Sequence, residues 1–210
     1  GDDLTDPFLL NPKDSYSEQQ RQLSSDRVGI AKKPQINAWS GPFIMATANT
    51  RVVRRTEALL ALRQESYGAD FTYQEYALHK SWISAVKSLV LTGFSVLVLL
   101  SPLKRLVKPF LPKPGEGPSE AIQENGWFDC KYIVETDDGS MSVFNMNGKG
   151  DPGYKVTSKL VSECALCLIE DEDALPGGKG YGGILTSASG LGNPLIARLS
   201  KVGINFNGPL

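Results

Sequence analysis

A mixed α+β fold is what this sequence predicts: a β-sheet with flanking helices, plus one long apolar helix. Three patterns predict it. Short runs at 35–39, 127–135 and 141–146 alternate polar and apolar side chains, the period of a half-buried strand. Stretches at about 49–65, 155–169 and 193–202 repeat apolar side chains at helical spacing. Between them, Trp82–Leu103 carries one cation, Lys87, and no acid. The composition is that of a folded chain of 210 residues, 41% apolar and 21% charged. That length suits one large domain or two small ones. With 22 basic and 23 acidic residues the net charge is −1, which argues against nucleic acid as a partner. Three cysteines and one histidine argue against a disulfide scaffold and a zinc site. Gly1-Asp2-Asp3-Leu4 shows no targeting leader.

Taken in order, residues 1–34 read as an exposed arm broken by Pro7, Pro12 and Pro34, with one short helix at Ser17–Leu23. The arm has little to bury and must lean on something else to be ordered. Gln35–Trp39 reads as a strand. Thr47 or Asn49 can cap the helix that runs to about Glu65, and Gly68 can stop it. Asp70–Leu78 has partial period-two spacing and reads as a strand. Pro102, Pro109, Pro112 and Pro114 forbid any long helix after the apolar segment. Trp127–Glu135 and Met141–Met146, joined through Asp137-Asp138-Gly139, make a β-hairpin. A helix follows at 155–169, capped near Thr157 or Ser158. Ile184–Thr186 reads as a short strand before the last helix, Asn193–Val202.

Trp82–Leu100 carries the sharpest signal. As a helix it would reach about 28 Å, close to the roughly 30 Å of a bilayer's hydrocarbon. Trp82 stands at one end, and Lys104, Arg105 and Lys108 at the other, as membrane interfaces favour. Leu89, Val90 and Leu91, then Phe94, then Val96, Leu97, Val98, Leu99 and Leu100 are the candidate membrane contacts. A fully buried core or dimer helix is the other reading, and Lys87 inside the span favours it. A helix lying flat fits the sequence poorly, because its polar face is thin.

Other motifs are weaker. Cys164-Ala165-Leu166-Cys167 sits in an apolar helical stripe and reads as two small buried hydrophobes. Gly177–Gly183 has Lys179 followed by Gly180, not by the serine or threonine of a phosphate loop. Gly190-Leu191-Gly192 lacks a third glycine. Arg51, Arg54 and Arg55 are the candidates for an anionic group on a substrate, with a solvated or salt-bridged helix face as the alternative. His79 has no visible carboxylate or nucleophile partner. No catalytic residue, metal ligand or cofactor-binding residue is assigned.

Several stretches together resemble the saccharopine dehydrogenase-like oxidoreductases. They are Trp39–Ala46, Asn49–Arg55, Tyr67–Glu75, Pro112–Ser119, Gly150–Tyr154, Ser158–Leu160 with Glu163–Leu168, and Gly182–Thr186. The resemblance is colinear over nearly the whole chain and implies the C-terminal half of such a protein. Residues 35–210 would be its substrate and dimerisation domain, and residues 1–34 its linker. The Rossmann half that binds NAD or NADP would lie outside this chain, so the chain alone would bind no cofactor. The function so implied is part of a membrane- or lipid-associated NAD(P)-dependent oxidoreductase. The alternative is a non-catalytic accessory subunit of a larger membrane assembly derived from that family. The expected partners are a membrane or lipid surface, the Rossmann half or other subunits, and a second copy of the chain. The expected location is an organelle membrane, a mitochondrion or a lipid droplet.

Overall fold

A computed structural model describes residues 5–26, 29–110, 113 and 115–208, leaving the side chains of Leu106 and Phe110 aside. The outermost parts of the predicted arm, its residues 27 and 28, and the helix-stopping Pro112 and Pro114 lie outside the described residues. The fold is mixed α+β, with two three-stranded antiparallel sheets, flanking helices and one long apolar helix. The chain divides into two compact units, residues 1–111 and 112–210.

The first unit opens with the arm, which is folded onto its own unit. Ser17 caps α1 (Glu18–Leu23) through a capping box with Gln20. Phe8 is buried and stacks on Tyr16 with ring centroids 4.1 Å apart. Strands β1 (Ala31–Lys33), β2 (Ala38–Gly41) and β3 (Ala77–His79) pair in that order. The strand expected at Gln35–Trp39 is shifted, because Pro34–Ile36 forms a 3-10 turn and Asn37 adopts a left-handed φ of 47°. Helix α2 (Ala46–Ala61) starts without a side-chain cap. Asn49, expected as a cap, donates instead to Glu75 at 3.1 Å. The strand expected over Asp70–Leu78 shrinks to β3. Carbonyls at Phe71 and Tyr73 accept side-chain donors, Gln20 Nε2 and Arg54 Nη2, in place of a ladder. Helix α3 spans Trp82–Leu100, capped by Ser81, and packs on β2 and β3. A short α4 (Lys104–Val107) follows.

The second unit has α5 (Glu120–Asn125), the hairpin β4 (Trp127–Glu135) and β5 (Met141–Lys149), α6 (Lys155–Glu170), α7 (Ser187–Lys201) and β6 (Ile204–Asn207). β6, which periodicity did not reveal, pairs with β5. Ile184–Thr186 is no strand: Thr186 is the N-cap of α7, in a capping box with Ser189. The helix therefore starts earlier than Asn193 and absorbs Gly192 (φ 51°) and Pro194 as a kink. Likewise α6 begins at Lys155, where Asp151 Oδ2 accepts the Tyr154 N–H at 2.7 Å. Thr157 and Ser158 donate instead to the carbonyls of Pro152 and Lys155. The core joins Val156 and Cys167 of α6, Leu191, Leu195 and Leu199 of α7, and Ile204 of β6. Each fully buried aliphatic side chain there stabilises the unit by about 1.5–3 kcal/mol. Gly148 is required under that core, since a Cβ there would sit 2.7 Å from the Phe128 ring.

Candidate functional site

The arginine cluster on α2 faces the arm. Arg51 and Arg54 are almost wholly buried, and all three arginines hold the arm. Arg51 forks onto Asp26 at 2.9 and 3.0 Å and reaches the Thr5 carbonyl at 3.4 Å. Arg54 donates to the carbonyls of Pro7 (2.9 Å) and Tyr73 (2.8 Å), with the Phe8 ring 5.6 Å away. Arg55 donates to the Leu10 carbonyl. Burial, then the neighbouring Arg51, pulls the Arg54 guanidinium down to about 10, so it stays cationic at neutral pH. Three arginines within five residues thus hold the carbonyls of Thr5, Pro7 and Leu10, that of Tyr73, and the carboxylate of Asp26.

Cys167 is fully buried and Cys164 partly so, and burial pushes both thiols up. That is the chemistry of packing, not of nucleophiles. No group of three or more histidine, cysteine or acidic side chains able to hold a metal occurs among the described residues. His79 lies in β3 opposite Trp39.

Neither sheet has the topology of a dinucleotide-binding fold. A dinucleotide fold needs parallel strands joined by a crossover helix. Both sheets here are antiparallel. Within Gly177–Gly183, Lys179 is paired with Asp173 at 2.6 Å, and a Cβ at Gly177 would strike Tyr181 at 2.5 Å. That loop is closed on itself and offers no helix terminus to a phosphate.

A depression of about 640 Å³ in the second unit lies on the sheet β4–β5–β6. Its floor follows from strand register. Asp129, Asn147 and Asn205 stand in one row across the three strands, and Lys131, Asn145 and Asn207 in the next. Asn205 Nδ2 donates to Asn147 Oδ1 at 3.0 Å, Asn147 donates to Asn145, and Asn145 donates to Asp129. Each amide uses one N–H in this relay and has a second for a ligand. Trp127, 70% exposed, offers a ring face at one end beside Lys149, its cross-strand partner. Lys159 enters from α6, with Nζ 3.5 Å from the Val202 carbonyl. Fixed amides, two cations and an open indole can hold and orient a polar or anionic group. They supply no nucleophile or buried base. The signal was visible in the sequence as Asn145-Met146-Asn147 and Asn205-Phe206-Asn207. Asparagine is depleted in strands, and its recurrence at period two marks a face kept for polar contact.

The predicted membrane contacts differ in exposure. Val90, Leu91, Phe94, Leu97 and Leu100 are each more than 60% exposed, while Leu89 is half-buried and Val98 buried.

No known family pattern matches this chain, and no solved structure does. Curated relatives do match. A Mycobacterium tuberculosis protein bearing the name "putative trans-acting enoyl reductase" is 35% identical across 97% of this chain and 50% of its own length. The trans-acting enoyl reductase of Mycobacterium bovis is 32% identical across 96% of this chain and 49% of its own. That of Mycobacterium ulcerans is 30% identical across 93% and 45%. These names correct the saccharopine dehydrogenase-like reading, and with it the membrane oxidoreductase and accessory-subunit functions. The mitochondrial and lipid-associated labels that came with that resemblance go with it, while the apolar helix α3 is an observation independent of the resemblance. The chain is similar, nearly end to end, to proteins named trans-acting enoyl reductases, and it spans about half the length of the curated relatives it matches.

Proposed function

We propose that this chain is the substrate-holding part of an enoyl reductase. The observation that carries the reading is the match along nearly the whole chain to proteins of that name. Reducing an enoyl group delivers a hydride to one alkene carbon and a proton to the other. NADH or NADPH is the expected donor, bound outside the residues described here. This chain's share of the work is to bind and orient the acyl substrate. The amide relay Asp129–Asn145–Asn147–Asn205, with Lys149, Lys159 and Trp127, suits the polar end of an activated acyl group.

The test uses crotonyl-N-acetylcysteamine as the enoyl thioester and the purified chain. Amide resonances of Trp127, Asn145 and Asn147 should shift on titration, and NADPH alone should shift none. Asn147→Ala should weaken thioester binding roughly tenfold by removing the centre of the relay. Absence of any shift on the β4–β5–β6 face would remove this assignment of the site.

A further inference from the structure

We propose that α3 lies along the surface of an anionic bilayer, its outer face among the acyl chains and the sheet β1–β2–β3 above it on the aqueous side. This rests on the first unit alone and is independent of the enoyl reductase reading. Ile83, Val90, Phe94 and Leu97 are each at least 60% exposed. Their spacings of seven, four and three residues place them on one helix face. The opposite face is covered over the first half of the helix, where Ala85 is fully buried and Ser88, Leu89 and Thr92 are half-buried against β2 and β3; from Gly93 onward only Val98 is buried. A flat helix looked poor in the sequence because its polar face is thin. The structure answers that objection for the first half of α3, where protein and not water lies over that face.

Charge selects the occupant. No acidic residue occurs from Ala77 to Leu111, whereas Lys80, Lys87, Lys104, Arg105 and Lys108 do. Lys87 projects from within the apolar face, where its long stem can carry the ammonium to headgroup level. Trp82, 54% exposed, stands at the helix start as interfacial indoles do. A second copy seated on this face would set one cationic stretch against another. A transmembrane placement would carry β2 and β3 into hydrocarbon with the sheet's edge groups unpaired, which bilayers exclude. The hydroxyl of Ser95 already donates to the Leu91 carbonyl at 2.8 Å, so the outer half of α3 brings that group in satisfied.

The purified chain should float with phosphatidylcholine–phosphatidylglycerol vesicles and bind pure phosphatidylcholine far more weakly. Lys104→Gln with Arg105→Gln and Lys108→Gln should lower partitioning to the anionic vesicles roughly a hundredfold. Phe94→Asp with Leu97→Asp should abolish flotation while circular dichroism and the urea midpoint stay those of the parent. Failure of the parent to float would overturn the proposal. So would undiminished flotation of the Asp pair, or a vesicle-free dimer that the same pair dissociates. Trypsin added outside sealed vesicles should reach both units; protection of either would reveal a span and overturn the flat placement.

Discussion

Helices α2 and α3 belong to the same unit and invert each other. α2 carries three arginines, yet eight of its sixteen residues are buried. α3 is nearly all apolar, yet only two of its nineteen are. The difference teaches that burial here follows the available partner, not side-chain hydropathy. The arm offers α2 backbone carbonyls and a carboxylate, which satisfy guanidinium donors away from water. For α3 the sheet offers cover to one face only, and the rest of its apolar surface is left for something else to cover.

That inversion can be broken by mutation. Arg54→Ala should have the largest effect, about 4 kcal/mol lost from the urea-unfolding free energy. It removes the buried donor that the Pro7 and Tyr73 carbonyls share and opens space beside Phe8. Asp26→Ala should cost less, about 2 kcal/mol in the same measurement. Asp26 is itself half exposed, but its loss strands the buried Arg51 fork. Leu97→Ser on α3 should change stability by less than about 0.5 kcal/mol, although it removes a larger apolar group than many core substitutions do. A large loss there would mean that α3 is covered after all.

The second unit sharpens the contrast through an electrostatic tie. Arg198 of α7 gathers Asp171, Glu170 and Glu163, joining α7 to α6 and the residue after it. The hydrogen bond from Arg198 holds the Asp171 carboxyl below its ordinary value of 3.8. A depressed carboxyl stabilises the fold above its unfolded pKa, and the benefit disappears as pH falls through the folded value. Stability of this unit should therefore decline below pH 3.8. Asp171→Asn should flatten that decline in acid-unfolding curves while changing the neutral midpoint only slightly.

The legible parts were those decided within a few residues. The limits of α3 followed from an apolar run that opens at Trp82 and has Pro102 after it, while the Ser81 cap came only from the structure. The hairpin followed from alternation and the Asp137-Asp138-Gly139 turn, and Cys167 from its place in a helical stripe. What misled was local signal overruled at distance. Thr186 looked like a strand residue until Ser189 made it a cap, and Gly192 and Pro194 looked like a helix boundary until the core on either side held the kink. The arginines on α2 suggested an anion site, since a sequence cannot say that an arm forty-odd residues away will meet them. The amide relay was spelled out as two Asn-x-Asn repeats, but their meeting required β6 to pair with β5 across 58 residues.

By itself, the sequence determined the α+β class, the long apolar helix with its cationic flank, and the hairpin, because propensity and periodicity act between near neighbours. Only the tertiary structure decided that the arginines face inward, that two small sheets form in place of one, and that asparagines from separate strands line a common face. Those outcomes depend on which distant groups can satisfy one another once water is excluded, and no local pattern encodes that.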